Sequence, residues 1–464
     1  MTTPEASAEQ EAARPLPKTV GSAFTDMPLT RSHLLFGSIL FITYIIEAWE
    51  QVGLVYVSNL ISDDFGVSLA QVGTALGVVA LGMVPGTMLW AGVVERLGKK
   101  NVSILSLTLY GLFSLAAACS PHFGLFIVLR FLSGMAFGGV YSVTFPYFME
   151  LLPLKRRGQA TVALSMGFPV GTLLCIAVSL LFGSTTWRIV ALIAAFAAVW
   201  AVAVWKWLPE SPYWLVKRGR QDEAKAVLHD LGAEIPPDQE LILDPDDADQ
   251  VDDINAGNGT EPADDPTAAV KTVVKMNTTW LMTLILVISF CYNWGYWGLQ
   301  SWLPVLLQDK GLSVSGSLGF VALSQLFAVP GYLLAAWSTK RFGRRWVFFT
   351  FAVGATIGAL LFGTANGSFQ MYLGNIMFSF FILGSWGIWN TWSGEALPTK
   401  IRGVGYAAST AALLLSSAVA VPVVGAMMDA GWSSGLVVGS IAVFMAVAVV
   451  LSFWMPETEG RTLR

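Results

Sequence analysis

Charge is scarce in this sequence. Of its 464 residues only 12% are charged while 55% are hydrophobic, and mean hydropathy is +0.62. Soluble domains carry roughly 25% charged residues, so the composition excludes a water-soluble globular chain. A net charge of −4 gives no reason to expect a nucleic-acid partner. Cysteine and histidine are scarcer still, at three each. Cys119, Cys175 and Cys291 fall in or beside apolar runs, far apart, which argues against a disulfide framework and reads as structural filler. His33, His122 and His229 are scattered over tail and loops with no matching nucleophile or metal spacing, so neither an enzyme, a metal site nor a cofactor is expected. The tail to about Phe24 is Ala, Glu and Pro-rich without an apolar core. It is not expected to be a cleavable signal, and the first apolar run is expected to serve as its own insertion signal.

What is there is a series of apolar runs near the ~20 residues needed to cross a bilayer. They recur at about 33–60, 67–91, 101–120, 124–149, 159–183 and 187–208, then at 279–307, 313–338, 346–364, 369–394, 404–428 and 434–455. The expected fold class is an all-α membrane protein of twelve transmembrane helices in two bundles of six. With the N-terminus inside, all 27 Lys and Arg except Arg130, Arg188 and Lys310 fall at or near the inner face. That bias puts both termini in the cytoplasm of a multi-pass plasma (inner) membrane protein. The domain reading is a tail at 1–32, a bundle at 33–208, a cytoplasmic linker at 209–278, a second bundle at 279–455 and a tail at 456–464.

The chain repeats itself at an offset of 245 residues: ERLGKK at 95–100 falls on KRFGRR at 340–345, and ELLPLKRRG at 150–158 on EALPTKIRG at 395–403. LPESP at 208–212 approaches MPETEG at 455–460, two residues out of step. Parallel six-helix repeats are an architecture of transporters that rock about a midplane site. Between the halves, 209–232 has a helical apolar face of Trp214, Leu215, Ala224, Val227 and Leu228. The acidic, Pro/Gly-rich stretch 234–266 reads as a disordered linker whose Asp spacing lacks the glycine of a calcium loop.

These motifs resemble the major facilitator superfamily, and within it the sugar-porter-like branch, over essentially the whole membrane-embedded chain. PESPYWL at 209–215 resembles that branch's PESPRWL, and PETEGRTL at 456–463 its PETKGRTL. AGVVERLGKK is similar to the superfamily's loop signature after helix two, with Ala91 for the usual Gly and Glu95 for Asp, while Lys340 takes the acidic place in the second half. The resemblance implies that Glu95, Arg96, Glu150 and Arg157, with Arg341, Glu395 and Arg402, form inner-gate charge networks that hold the outward-facing state.

Ionisable side chains inside spans cost about 2.5–3.5 kcal/mol each on insertion scales, so they mark function. Three are present, Glu47, Glu50 and Arg130. The glutamates are three apart and share a helix face, one of them being a candidate partner for Arg130. Tyr141 lies below Arg130 on its helix, and the repeat counterpart of Arg130 is Asn375. Asn293, Trp297 and Gln300 form a polar stripe beside Tyr296, and Gln325, Ser379, Trp386, Trp389 and Asn390 add amides, a hydroxyl and indoles. Deep tryptophans, as distinct from interfacial ones, point to an aromatic-lined cavity.

The EAWE of residues 47–50 is similar in spacing to the DGFD of aromatic acid:proton symporters, whereas the sugar porters' helix-seven Gln pair and helix-five Gln are absent. The leading expectation is proton-coupled symport of a small organic anion with an aromatic or apolar body. Arg130 would attract the carboxylate or govern the proton, and Glu47 or Glu50 would carry the proton. Organic cation or drug transport, sugar or polyol symport, and a transporter-shaped sensor or scaffold stay open. The expected partners are the substrate, protons and the bilayer, with the chain a monomer.

Overall fold

The computed structural model describes residues 18–243 and 278–458, apart from gaps at 26, 154–159, 161–162, 183–185, 237 and 398. Twelve helices are long and apolar enough to cross a membrane. In chain order they are α1 (Arg31–Phe65), α2 (Leu69–Leu97), α3 (Lys99–Ala118), α4 (Phe123–Glu150), α5 (Ala163–Phe182) and α6 (Arg188–Trp207), then α7 (Thr278–Gln300), α8 (Val314–Thr339), α9 (Arg344–Gly363), α10 (Ser368–Glu395), α11 (Val404–Asp429) and α12 (Ser434–Ser452). Helical backbone satisfies its own hydrogen bonds, which is what lets such runs lie in hydrocarbon. The end where α1 starts and α12 finishes is called the near end below, and the opposite one the far end.

The repeat read in the sequence is a repeat of contacts. A Cβ on Gly86 of α2 would come within 2.5 Å of the Met135 carbonyl on α4, and one on Gly331 of α8 would run into the Phe380 carbonyl on α10, each 245 residues on. Gly98 and Gly343 follow α2 and α8 at φ +86° and +82°, a conformation that suits glycine. They make room for a carboxylate. Glu210 accepts the Lys99 and Lys100 amides at the start of α3, and Glu457 the Arg344 and Arg345 amides at the start of α9. A carboxylate at a helix N-terminus satisfies orphan donors and complements the helix dipole. The Tyr147 hydroxyl reaches the Pro209 carbonyl, as Trp392 Nε1 reaches that of Pro456 at 2.8 Å.

The linker and tail differ from the sequence expectation where they are described. Short helices Pro212–Lys217 and Gln221–Leu231 form as the apolar face predicts. However, Leu241–Ile242, inside the stretch expected to be disordered, pairs in parallel with Lys18–Thr19 of the tail. Gln221 fixes the turn back by bonding both the amide and the carbonyl of Leu241 at 3.1 and 2.8 Å. Phe24 and Leu241 are buried there, and Phe24 stacks at 6.3 Å on Tyr213. Residues 244–266 lie outside the described residues.

Candidate functional site

The α1 backbone changes from α to 3-10 hydrogen bonding at Gly53–Val57, directly after the two glutamates. Trp49 braces this point, its Nε1 donating to the Val190 carbonyl of α6 at 3.0 Å. Glu47 and Glu50 are both buried, at 1% and 4% exposure, yet they have different partners. Glu50 is the glutamate that pairs with Arg130: the guanidinium donates to Oε1 at 2.6 Å, with the Ser133 hydroxyl at 3.4 Å. Glu47 shares a hydrogen bond with Thr144 of α4 and has no basic partner among the described residues.

A cavity of about 1010 Å³, counting its open part, lies between the two halves. Seven aromatic side chains wall it: Tyr44, Tyr141, Phe168, Tyr296, Trp297, Tyr332 and Trp386. Tyr296 meets Trp297 edge-on at 5.1 Å and faces Trp386 at 6.3 Å. Asn293 contributes an unpartnered Oδ1, because its Nδ2 is held by the Leu413 carbonyl at 2.5 Å. Glu50 and Gln51 are also on the wall, and no lysine or arginine is among the lining residues.

Several of the expected positions lie away from the cavity wall. Arg130, expected to meet substrate, lies behind Glu50 in a tight space with Trp49, Ser114 and Phe126, off the cavity wall. Its burial inside the first bundle follows from pairing with Glu50 rather than facing the opposite half. Gln300 and Gln325 occupy an adjoining recess. Asn375 is turned into the second bundle, where it donates to Ser324. Trp389 is likewise internal, bonding Ser289 at 3.1 Å and packing on Phe348. Ser379 is buried, and Asn390 is half-buried. The lining residues that sequence reasoning missed are chiefly Tyr44, Gln51, Phe168 and Tyr332. Tyr44 carried a usable signal, being three residues before Glu47 on the same helical face.

At the near end the charges pair within each half. Glu150 takes Lys99 and the Ser211 hydroxyl, the latter at 2.5 Å, and Glu395 takes Arg344 at 2.5 Å and the Thr458 hydroxyl at 2.9 Å. Lys99 and Arg344 thus stand where Arg96 and Arg341 were expected. Glu95, Arg96 and Arg341 are exposed, and Glu95 contributes only its carbonyl, to Trp214 Nε1 at 3.0 Å and Arg218 at 2.6 Å. Arg157 and the side chain of Arg402 lie outside the described residues.

At the far end the halves meet closely. Cβ atoms on Gly73, Gly77 and Gly425 would come within 2.7–2.8 Å of backbone atoms across the α2–α11 contact. Asp429 accepts the Leu69 and Ala70 amides at 3.0 and 2.7 Å, and Asn59 donates to Gln308 at 3.0 Å. Toward the near end a second cavity runs between α5, α8 and α10, sharing Tyr332 with the central one.

The Major Facilitator Superfamily profile matches residues 40–340. The niacin transporter NiaP of Acinetobacter baylyi is 28% identical, the alignment covering 95% of this chain and 98% of that protein. A putative niacin/nicotinamide transporter of Bacillus subtilis is 27% identical over 81% of this chain and 84% of its own length. An inward-open structure of the xylose transporter XylE from E. coli superposes with a TM-score of 0.71 at 16% identity, covering 93% of this chain and 98% of that one. The twelve-helix architecture, the 245-residue repeat of contacts and the profile match agree: the chain is a multi-pass membrane transporter that belongs to the major facilitator superfamily.

Proposed function

We propose that the protein carries a small planar aromatic acid across the membrane together with protons, by alternating access. The observation that carries this reading is the position of Glu50, which forms part of the wall of an aromatic cavity and is the partner of Arg130 behind it. An organic anion entering beside an ionised Glu50 meets like charge. A proton on Glu50 removes that charge and leaves the Arg130 guanidinium behind it as an uncompensated positive charge that favours an anion in the cavity. Proton and anion then favour each other's binding, which is the coupling a symporter needs.

Glu47 has a different task in this reading. The Thr144 hydroxyl has one proton but stands within hydrogen-bonding reach of both Glu47 and the Val140 carbonyl, the latter at 2.9 Å. With a proton on Glu47, the carboxylic acid donates to the Thr144 hydroxyl and Thr144 donates to the Val140 carbonyl. In this reading Glu47 holds a resident proton, and Glu50 is the coupling carboxylate. The near-end networks are gate elements set within each half, and with both termini cytoplasmic the described state faces inward. The niacin transporters among the relatives supply the chemical class, a pyridine carboxylate.

Seven aromatic side chains with no basic one on the wall favour a second reading, transport of an aromatic amine held by cation–π contact. Thermal unfolding of the purified protein against panels of aromatic acids, aromatic amines and sugars separates the two. A ligand at 100 times its Kd adds about 2.7 kcal/mol of stability. The proposal expects aromatic acids to raise Tm, more at pH 5.5 than at pH 8. Stabilisation by amines or sugars alone overturns it.

A further inference from the structure

With no lysine or arginine among the residues lining the central cavity, an acid bound there has to be met by neutral donors. A buried tyrosine hydroxyl ordinarily finds a partner inside the protein, and those of Tyr147 and Tyr292 do so, at the Pro209 and Ile382 carbonyls. Four tyrosines on the cavity wall behave differently. Tyr44 of α1, Tyr141 of α4, Tyr296 of α7 and Tyr332 of α8 all line the cavity, and none of their hydroxyls has a hydrogen-bond partner among the described residues. They are also close together: Tyr44 is within electrostatic reach of the other three, Tyr332 being the strongest of them, and Tyr296 is within reach of Tyr332. Tyr44 belongs to the first half and Tyr332 to the second. Each phenol can give one O–H, and a carboxylate has two oxygens to receive them. The protein itself holds the two rings. Tyr44 meets Phe145 edge-on at 5.0 Å, and Tyr332 lies against Gly387 of α10, where a Cβ would stand 3.4 Å from its ring.

We propose that the hydroxyls of Tyr44 and Tyr332 clamp the substrate carboxylate, one from each half of the transporter, with those of Tyr141 and Tyr296 beside them. This rests on the aromatic-acid reading above and deepens it by assigning the residues that grip the acid group, a contact that Arg130, enclosed behind Glu50, does not make. Neutral donors hold a carboxylate without cancelling its charge. Grip and charge balance are therefore separate tasks: the tyrosines hold the anion, while a protonated Glu50 with Arg130 behind it meets its charge. Tyr332 also lines the second cavity, so the clamp stands where the central cavity opens toward the near end. A carboxylate bonded to both halves there ties them together.

Tyr44→Phe and Tyr332→Phe each remove one hydroxyl and keep the ring, and neither hydroxyl has a partner in the protein to lose. The test titrates the purified full-length wild type and both variants calorimetrically with pyridine-3-carboxylate and with pyridine-3-carboxamide, which matches the acid in shape without its charge. A hydrogen bond to a charged group is worth more than a neutral one. Each variant should therefore lose about ten-fold or more in affinity for the acid and no more than about three-fold for the amide. Unchanged affinity for the acid in both variants overturns the clamp while leaving the aromatic-acid reading in place. An equal loss of both ligands also overturns it, assigning the two tyrosines to packing of the cavity wall. The wild type alone reports on the parent reading: if it binds no aromatic acid, that reading fails and the clamp with it.

Discussion

Glu47 and Glu50 sit one turn apart in the same hydrocarbon-like run and are both nearly sealed from solvent, yet among the described residues only Glu50 has a cation. The pair is legible in sequence because an ionisable group in an apolar run is expensive enough to need a reason. Its division of labour is not, because that depends on which α4 residue each glutamate meets. Arg130→Met leaves a buried carboxylate uncompensated, a loss of about 3–5 kcal/mol for a broken buried pair. Combining it with Glu50→Gln removes the orphan charge. Thermal unfolding should therefore show Arg130→Met with a lower Tm than the double variant; the reverse order would mean the pair is not coupled. Tyr44 and Tyr332, both on the cavity wall, escaped sequence reasoning for the converse reason. A tyrosine inside a span is unremarkable in cost, and which face it takes depends on the rotation of a helix buried on several sides.

Among the elements, α2 and α11 are held so close that glycine at 77 faces the Ala418 carbonyl with 2.8 Å for any Cβ. Gly77→Leu forces these helices apart where they seal the far end. With Cys119, Cys175 and Cys291 replaced, a cysteine at Ser417, which lines the cavity at 8% exposure, should become reactive to an impermeant thiol reagent added from the far side. Unchanged protection would show that the seal lies elsewhere. The helices were legible because hydrophobic length is a strong signal, and the capping carboxylates Glu210 and Glu457 were visible as repeated motifs. The pairing of Lys18–Thr19 with Leu241–Ile242 was not. Two-residue strands have no period to read, and their partners are more than 200 positions apart.

For the whole molecule, the offset of 245 residues carries over from letters to contacts, with Gly86 and Gly331, Gly98 and Gly343, and Glu150 and Glu395 in matching roles. The halves are not equivalent at the centre, where Arg130 in the first corresponds to Asn375 in the second. Near-equal scaffolds can exchange two tilts about a shared cavity. One ion pair confined to one half gives that exchange a proton-dependent step. The most direct measurement is accumulation of radiolabelled pyridine-3-carboxylate in proteoliposomes under an inward proton gradient, beside exchange with no gradient. Wild type and Glu47→Gln should both accumulate substrate, since a glutamine reproduces a permanently protonated Glu47, while Glu50→Gln should exchange substrate without accumulating it. Accumulation by Glu50→Gln at the wild-type level would contradict the account.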